Sequence, residues 1–335
     1  MHWSGAALHT RWLLLTGNFS GFVCAKSAKV TRSKSILPSM SRFMWRPIMP
    51  SSDQARTVVW VCVLLITAAV SGETYAQEKV EPGKSKGWEV SVGVGFLSTP
   101  NYTGDDDTQI LLIPNVRSTD GEHWAISYRE GVQYTINPRK SWQWGLALTP
   151  SLGRDSDGES PFRISGDGTD DLNGLGDMDS AVALRVFTQY KASDWSLDAE
   201  AQRTFNSDAL STFSIGLRRS GKIKTQGPPL ILSGGITIRA GNENTLESLV
   251  GITAEQSVLS NLAPYSPNAG VIGVGINGTV VLPLSQSLRI ITTLSIEQLG
   301  SELEGSSLVT ERGDKQQVTA GVFFSYRLGA NLTRR

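Results

Sequence analysis

His123 is the one histidine between residues 77 and 335, so a Ser/His/acid hydrolase would have to be built around it. Ser127 and Glu122 are the nearest candidates. Adjacent residues on an extended strand point to opposite faces, and no Gly-x-Ser-x-Gly elbow is present. His123 stands beside Trp124 at the edge of an apolar-polar segment, which suits a structural histidine at an interface. Two Gly-rich acidic stretches, Asp105–Asp107 and Asp167–Gly174, carry carboxylates dense enough to hold a divalent cation or to share one with lipopolysaccharide phosphates. The EF-hand spacing with its closing Glu is missing, and a solvated loop accounts for both. No catalytic residue, metal or cofactor is expected.

Composition narrows the chemistry further. The chain has 335 residues with 31 basic and 31 acidic groups. Residues 1–76 hold eight basic groups and two acidic ones, leaving 23 basic against 29 acidic in 77–335, a net of −6. Both cysteines, Cys24 and Cys62, also fall in the first stretch. The remainder therefore has no Cys/His zinc site, disulfide framework or cysteine nucleophile, and its acidic balance argues against nucleic acid as a partner.

The first stretch reads as an address. Arg56 precedes the apolar run Thr57–Val70, which has the length of a signal-peptide core and is short for a membrane-anchoring helix of ~20 residues. Glu73-Thr-Tyr-Ala76 before Gln77 places cleavage between Ala76 and Gln77. No lipoprotein pattern precedes Cys62. Residues 44–76 are thus expected to be a signal peptide, 1–43 an over-extended start or unstructured preface, and 77–87 a periplasmic linker.

From residue 88 the chain alternates with period two. Trp88, Val90, Val92, Val94 and Phe96 are separated by Glu89, Ser91, Gly93 and Gly95. The segments at 142–149, 195–202, 288–297 and 318–327 repeat the pattern, which marks strands with one apolar face. They run longer than the ~5–6 residues of globular strands and match tilted membrane strands of about 9–11. The polar faces hold mostly Gly, Ser, Thr and Ala with charges of both signs, as a crowded lumen would. The expected fold is all-β: a transmembrane antiparallel up-and-down barrel over 88–328, with about twelve strands, ten to fourteen being allowed. The strands are expected near 88–97, 108–117, 122–129, 131–137, 141–153, 179–191, 194–206, 211–220, 229–240, 268–282, 287–299 and 316–328. The segment 122–137 can also be read as one strand, and 246–256 as a further one. Connections then mostly alternate between short turns and long loops (98–107, 154–178, 241–267, 300–315), the short 207–210 connection on the long-loop side being an exception, and Trp88, Trp142, Trp195, Tyr134, Tyr190 and Tyr326 fall at the short-turn end, as an interfacial girdle would. Residues 329–335 form a tail.

The ordered motifs of this region resemble the MipA/OmpV family of Gram-negative outer-membrane proteins. Gly95 to Asp107, with Pro100, Tyr102, Gly104 and Asp105, is similar to its Pro-x-Tyr-x-Gly and acidic pattern. Gly153-Arg154 followed by Leu172-Asn-Gly174-Leu175-Gly176-Asp177 resembles its Gly-Arg and Leu-x-Gly-Leu-Gly-Asp loop. Glu247 to Ser257 resembles the segment before its third-last strand. The resemblance implies an outer-membrane barrel in contact with membrane lipid and lipopolysaccharide. It also implies, in one branch, a scaffold joining a lytic transglycosylase to a peptidoglycan synthase. Thr319-x-Gly321-x-x-Phe324-x-Tyr326 fits the terminal-strand signal read by the barrel-assembly machinery.

Three functions follow: a scaffold for peptidoglycan-remodelling enzymes, a narrow channel for small solutes, or, well behind, a lipid-modifying barrel enzyme. The lumen leaves the first two open. Arg185, Arg218, Arg239, Arg289 and Arg327 form either an anion-attracting ladder or ion pairs with Glu89, Asp198, Glu200 and Glu297 that close it.

Overall fold

The computed structural model describes residues 87–328 apart from 157–159, 161, 167, 207 and 226. The preface, the signal segment with Ala76 and Gln77, nearly all of the linker, Asp167 and the tail lie outside the described residues.

The wall is built from β1 (Glu89–Pro100), β2 (Thr108–Pro114), β3 (Arg117–Thr119), β4 (Trp124–Ser127), β5 (Gly131–Ile136), β6 (Trp142–Ser151), β8 (Ala181–Ala192) and β9 (Trp195–Thr204). It continues through β10 (Ser211–Ile223), β11 (Leu230–Gly241), β12 (Gly270–Pro283), β13 (Leu288–Leu299) and β14 (Gln316–Leu328), with β7 (Arg163–Ser165) in the loop after β6. All neighbours are antiparallel, and β14 pairs with β1 from Val90↔Leu328 to Ser98↔Ala320, which closes the ring. β2 and β3 both pair with β1 in one register, Val94↔Pro114 and Ser91↔Arg117. They are a single stave, since between them Asn115 N–H still bonds the Gly93 carbonyl of β1 (3.0 Å). Counted so, the barrel has twelve staves, as the alternation predicts.

Four boundaries differ from the sequence reading. The stave expected at 122–129 keeps only Trp124–Ser127, and a turn through Tyr128–Glu130 separates it from β5, so 122–137 is not one strand. β7 lies inside the expected 154–178 loop and pairs with the upper part of β2. β10 runs on to Ile223, and residues 220–223 pair with β11 alone. The 246–256 segment is helical: α1 (Glu243–Val250) and α2 (Ala254–Ser260). Local caps outweigh its apolar content. The Asn242 side chain accepts from Thr245 N–H, and Thr253 with Gln256 forms a full capping box.

The apolar faces point outward. On β6, Leu146 and Leu148 are 47% and 50% exposed, whereas Ala147 between them is 2% exposed. A soluble sandwich would show the reverse; a barrel wall bathed in lipid shows this. At the short-turn end Trp142 stacks on Trp144 (5.4 Å) and meets Tyr190 edge-on, while Trp124 meets Tyr134, forming part of the expected girdle. Among the described residues no helix is long and apolar enough to cross a membrane; the strands do so.

Inside, space is tight. Phe187 lies over its cross-strand partner Gly145, where a Cβ would stand 2.0 Å from the ring; only glycine lets a lumen aromatic lie flat on the wall. Arg185 pairs with Glu200 (3.3 Å) and donates to Gln133 (3.2 Å). Arg239 grips Glu297 by two bonds of 2.9 and 2.6 Å, and Arg327 pairs with Glu89. Arg218 and Arg289 make no ion pair among the described residues. The lumen is therefore mostly paired, with a polar chamber of about 460 Å³ lined by Gln133, Arg185, Asp198, Glu200 and Arg218.

Candidate functional site: a cap across the long-loop mouth

The residues singled out by motif converge at the long-loop end. Two short helices there, α3 (Ser301–Glu304) and α4 (Ser307–Arg312), follow β13. Tyr102 from the β1–β2 loop, Leu172 and Leu175 from the β6–β8 loop, Ile252 and Leu262 from the β11–β12 loop and Leu308 from α4 form one buried cluster. Leu246, Val250, Ile272, Leu299, Leu303 and Val309 form a second, and Tyr265 packs against both. The β6–β8 loop is rooted across the ring from the others, so these contacts span the mouth. The β11–β12 ladder shifts register at Arg239/Ala240, where Ile272 is the extra residue. This bulge re-aims Ile272 into the second cluster.

Polar bonds sew the loops together. Tyr102 donates to the Arg312 carbonyl (2.9 Å) and to Asp171 (3.4 Å). Arg312 donates to the Asp171 carbonyl at 2.7 Å and to that of Ser260 at 2.5 Å. Arg154 forms a two-way backbone bridge with Met178 and reaches the Leu249 carbonyl (3.3 Å). Asp177 accepts from Ser156 N–H, which holds its carboxyl below the usual range. Pro100 ends β1, Gly153 precedes Arg154, and Gly174, between the two buried leucines, and Gly176, just after them, take positive φ. Gly104 has φ +103°, and a Cβ there would stand 2.7 Å from Val309. The motif residues thus build the cap.

Asp105 departs from the solvated-loop expectation. It is 2% exposed and bridged to Gly313. Burial, with the charges of Asp171 and Asp107 adding, pushes its carboxyl up to about 6 against hydrogen bonding that holds it down. Asp106 and Asp107 remain exposed, and Asp171 is half-buried.

At the other end His123 is engaged locally: Nδ1 lies 2.7 Å from the Thr135 carbonyl and the ring stacks on Tyr134. Glu122 pairs with Arg139, and the Ser127 hydroxyl accepts from Glu130 N–H. The three are not brought together as a triad.

The MltA-interacting protein MipA family model matches residues 92–328. The chain belongs to this family. The barrel is thus of the outer-membrane type, and the family motifs coincide with the cap and its roots. Among curated proteins none matches. Solved structures with which the chain aligns include Neisserial surface protein A (9% identity, 72% of this chain and 96% of that one, TM-score 0.23). An outer-membrane channel from Pseudomonas putida F1 aligns at 13% identity over 75% and 100% (TM-score 0.38). Pseudomonas aeruginosa OprE aligns at 10% over 72% and 98% (TM-score 0.30). These likenesses are too distant to carry a function to this family member.

Sequence reading missed Arg312 and the cap helices. The Thr253-x-x-Gln256 capping box was visible as a pattern; the role of Arg312 depends on partners 52 and 141 residues away.

Proposed function

We propose that this barrel is a non-enzymatic scaffold in the outer membrane, exported by its signal segment and inserted through the terminal-strand signal. It presents its short-turn end to peptidoglycan-remodelling enzymes, a lytic transglycosylase first and a peptidoglycan synthase second. One observation carries the reading: the long-loop mouth is spanned by a cap with two apolar cores, which suits a barrel working from its other end. Barrels of this class direct their short turns to the periplasm. There the β10–β11 hairpin extends beyond its neighbours and bears the exposed Lys222 and Lys224. The family description names an interaction with MltA, a second support. In the terminal strand Thr319 and Gly321 face the lumen while Phe324 and Tyr326 are exposed outward.

The test is capture of purified lytic transglycosylase by the detergent-solubilised barrel. Capture by the wild type and its loss in Lys222→Glu/Lys224→Glu supports the scaffold; no capture by wild type contradicts it. The polar chamber of about 460 Å³ favours a narrow channel as the second reading. Planar-bilayer recordings separate the two: the scaffold predicts silence, the channel steady current.

A further inference from the structure

At the short-turn end the lumen holds positive charge that the fold leaves uncommitted. A recess of about 540 Å³ lies between the β8–β9 turn and the β10–β11 hairpin, lined by Lys191, Arg218 and Lys222 with Ser196 and Ser220. Strand register sets the arrangement. Lys191 and Arg218 are the cross-strand partners of Ser196 on its two sides, so all three share one face, with neighbouring Cβ atoms about 5 Å apart. Lys222 follows Arg218 on that face, nearer the hairpin tip. Gln189 and Arg218 line both this recess and the polar chamber, so the two spaces adjoin. Elsewhere in the lumen arginines meet acids, as Arg185, Arg239 and Arg327 do. Here the side chains of Lys191, Arg218 and Lys222 make no ion pair or hydrogen bond among the described residues. The nearby acids are engaged by other groups. Asp198, one pleat deeper, accepts from the Gln189 amide on one oxygen and from the Ser196 hydroxyl on the other, and Asp194 faces Arg219 (4.0 Å). Three like charges around one recess repel each other, and an anion seated among them removes that cost.

We propose that this recess binds a small multivalent oxyanion of the phosphate-ester class, entering from the short-turn side. Cations on two strands surround such a ligand rather than grip it in one plane. That suits the several acceptor oxygens of a phosphate better than one flat carboxylate, with Arg218 giving a fork of donors and the lysines point charges. The volume falls within the range of small-molecule sites and leaves room for a sugar joined to the phosphate. Because the cap spans the opposite mouth, the ligand exchanges with the compartment that the short turns face. This inference does not rest on the scaffold reading. Lys222 enters both, so the variants that test the recess are at Lys191 and Arg218, which leave the hairpin tip untouched.

The experiment is calorimetric titration of the full barrel in uncharged detergent with glucose 6-phosphate, and separately with glucose. The expected result is saturable one-to-one binding of the phosphate ester that weakens as salt rises, with no binding of glucose. Lys191→Gln and Arg218→Gln should each lower the affinity about tenfold or more. Both positions are exposed and neither side chain holds a contact of the fold, so the barrel survives either change. Lys224→Gln, which does not line the recess, should bind as wild type does. Absence of saturable binding by wild type at millimolar ligand would overturn the proposal. So would equal binding of glucose, unchanged binding in Arg218→Gln, or an equal loss in Lys224→Gln.

Discussion

Leu308→Ala is expected to open the cap while leaving the barrel intact. Leu308 is 1% exposed and sits where loops from four separate roots meet. Removing a buried leucine side chain costs about 2–5 kcal/mol when the site cannot collapse. The cap is a small unit with its own cores, so that loss falls on its local opening rather than on the ring, whose hydrogen bonds close on themselves. Even the lower figure raises the open population by ~30-fold. Limited proteolysis of the folded protein should show faster cleavage in 242–269 and 300–315, with the heat-modifiable gel shift of the barrel retained. Val258→Ala, at a 79% exposed position on α2, should change little, about 0.5 kcal/mol or less. Equal cleavage of Leu308→Ala and wild type would mean that the loops are not a packed cap.

The second large effect is expected on the outer wall. Leu146 stands midway along β6 on the exposed face. If that face meets lipid, Leu146→Arg costs about 2–4 kcal/mol near the bilayer midplane. Ser214→Arg puts the same group into the lumen opposite Glu200, where a partner and water are at hand, and should be close to neutral. Denaturant unfolding in lipid vesicles compares the two. Equal tolerance at both positions would contradict the assignment of faces.

The wall was legible in the sequence because each stave has a single greasy side, and a period of two survives any shift in loop length. Its irregularities were not. That β2 and β3 belong to one stave emerges only from their shared register with β1. β4 stops at Ser127, and above it β7, some 40 residues on, takes the edge of β2. Lumen pairing was equally opaque: Arg239 meets Glu297 across β12, two staves away, and Gly273 and Gly275 leave the room between them. In the cap, Tyr102, Arg154 and Leu172 stood out as motif residues, yet their purpose is a set of contacts between loops rooted around the ring. Asp105 resembled its solvated neighbours because burial is decided by Gly313 and Gln317, more than 200 residues distant.

Nitroxide scanning of β10 in lipid vesicles, with Cys24 and Cys62 replaced by serine and labels placed singly at residues 213–218, tests the assignment of the apolar face to lipid most directly. Phe213, Ile215 and Leu217 are exposed on the outside, while Ser214, Gly216 and Arg218 line the chamber. Collisions with lipid-soluble oxygen should peak at 213, 215 and 217, and those with a water-soluble nickel chelate at 214, 216 and 218. A nickel signal that peaks at the three apolar positions would show water on the outer face and contradict a membrane-spanning barrel.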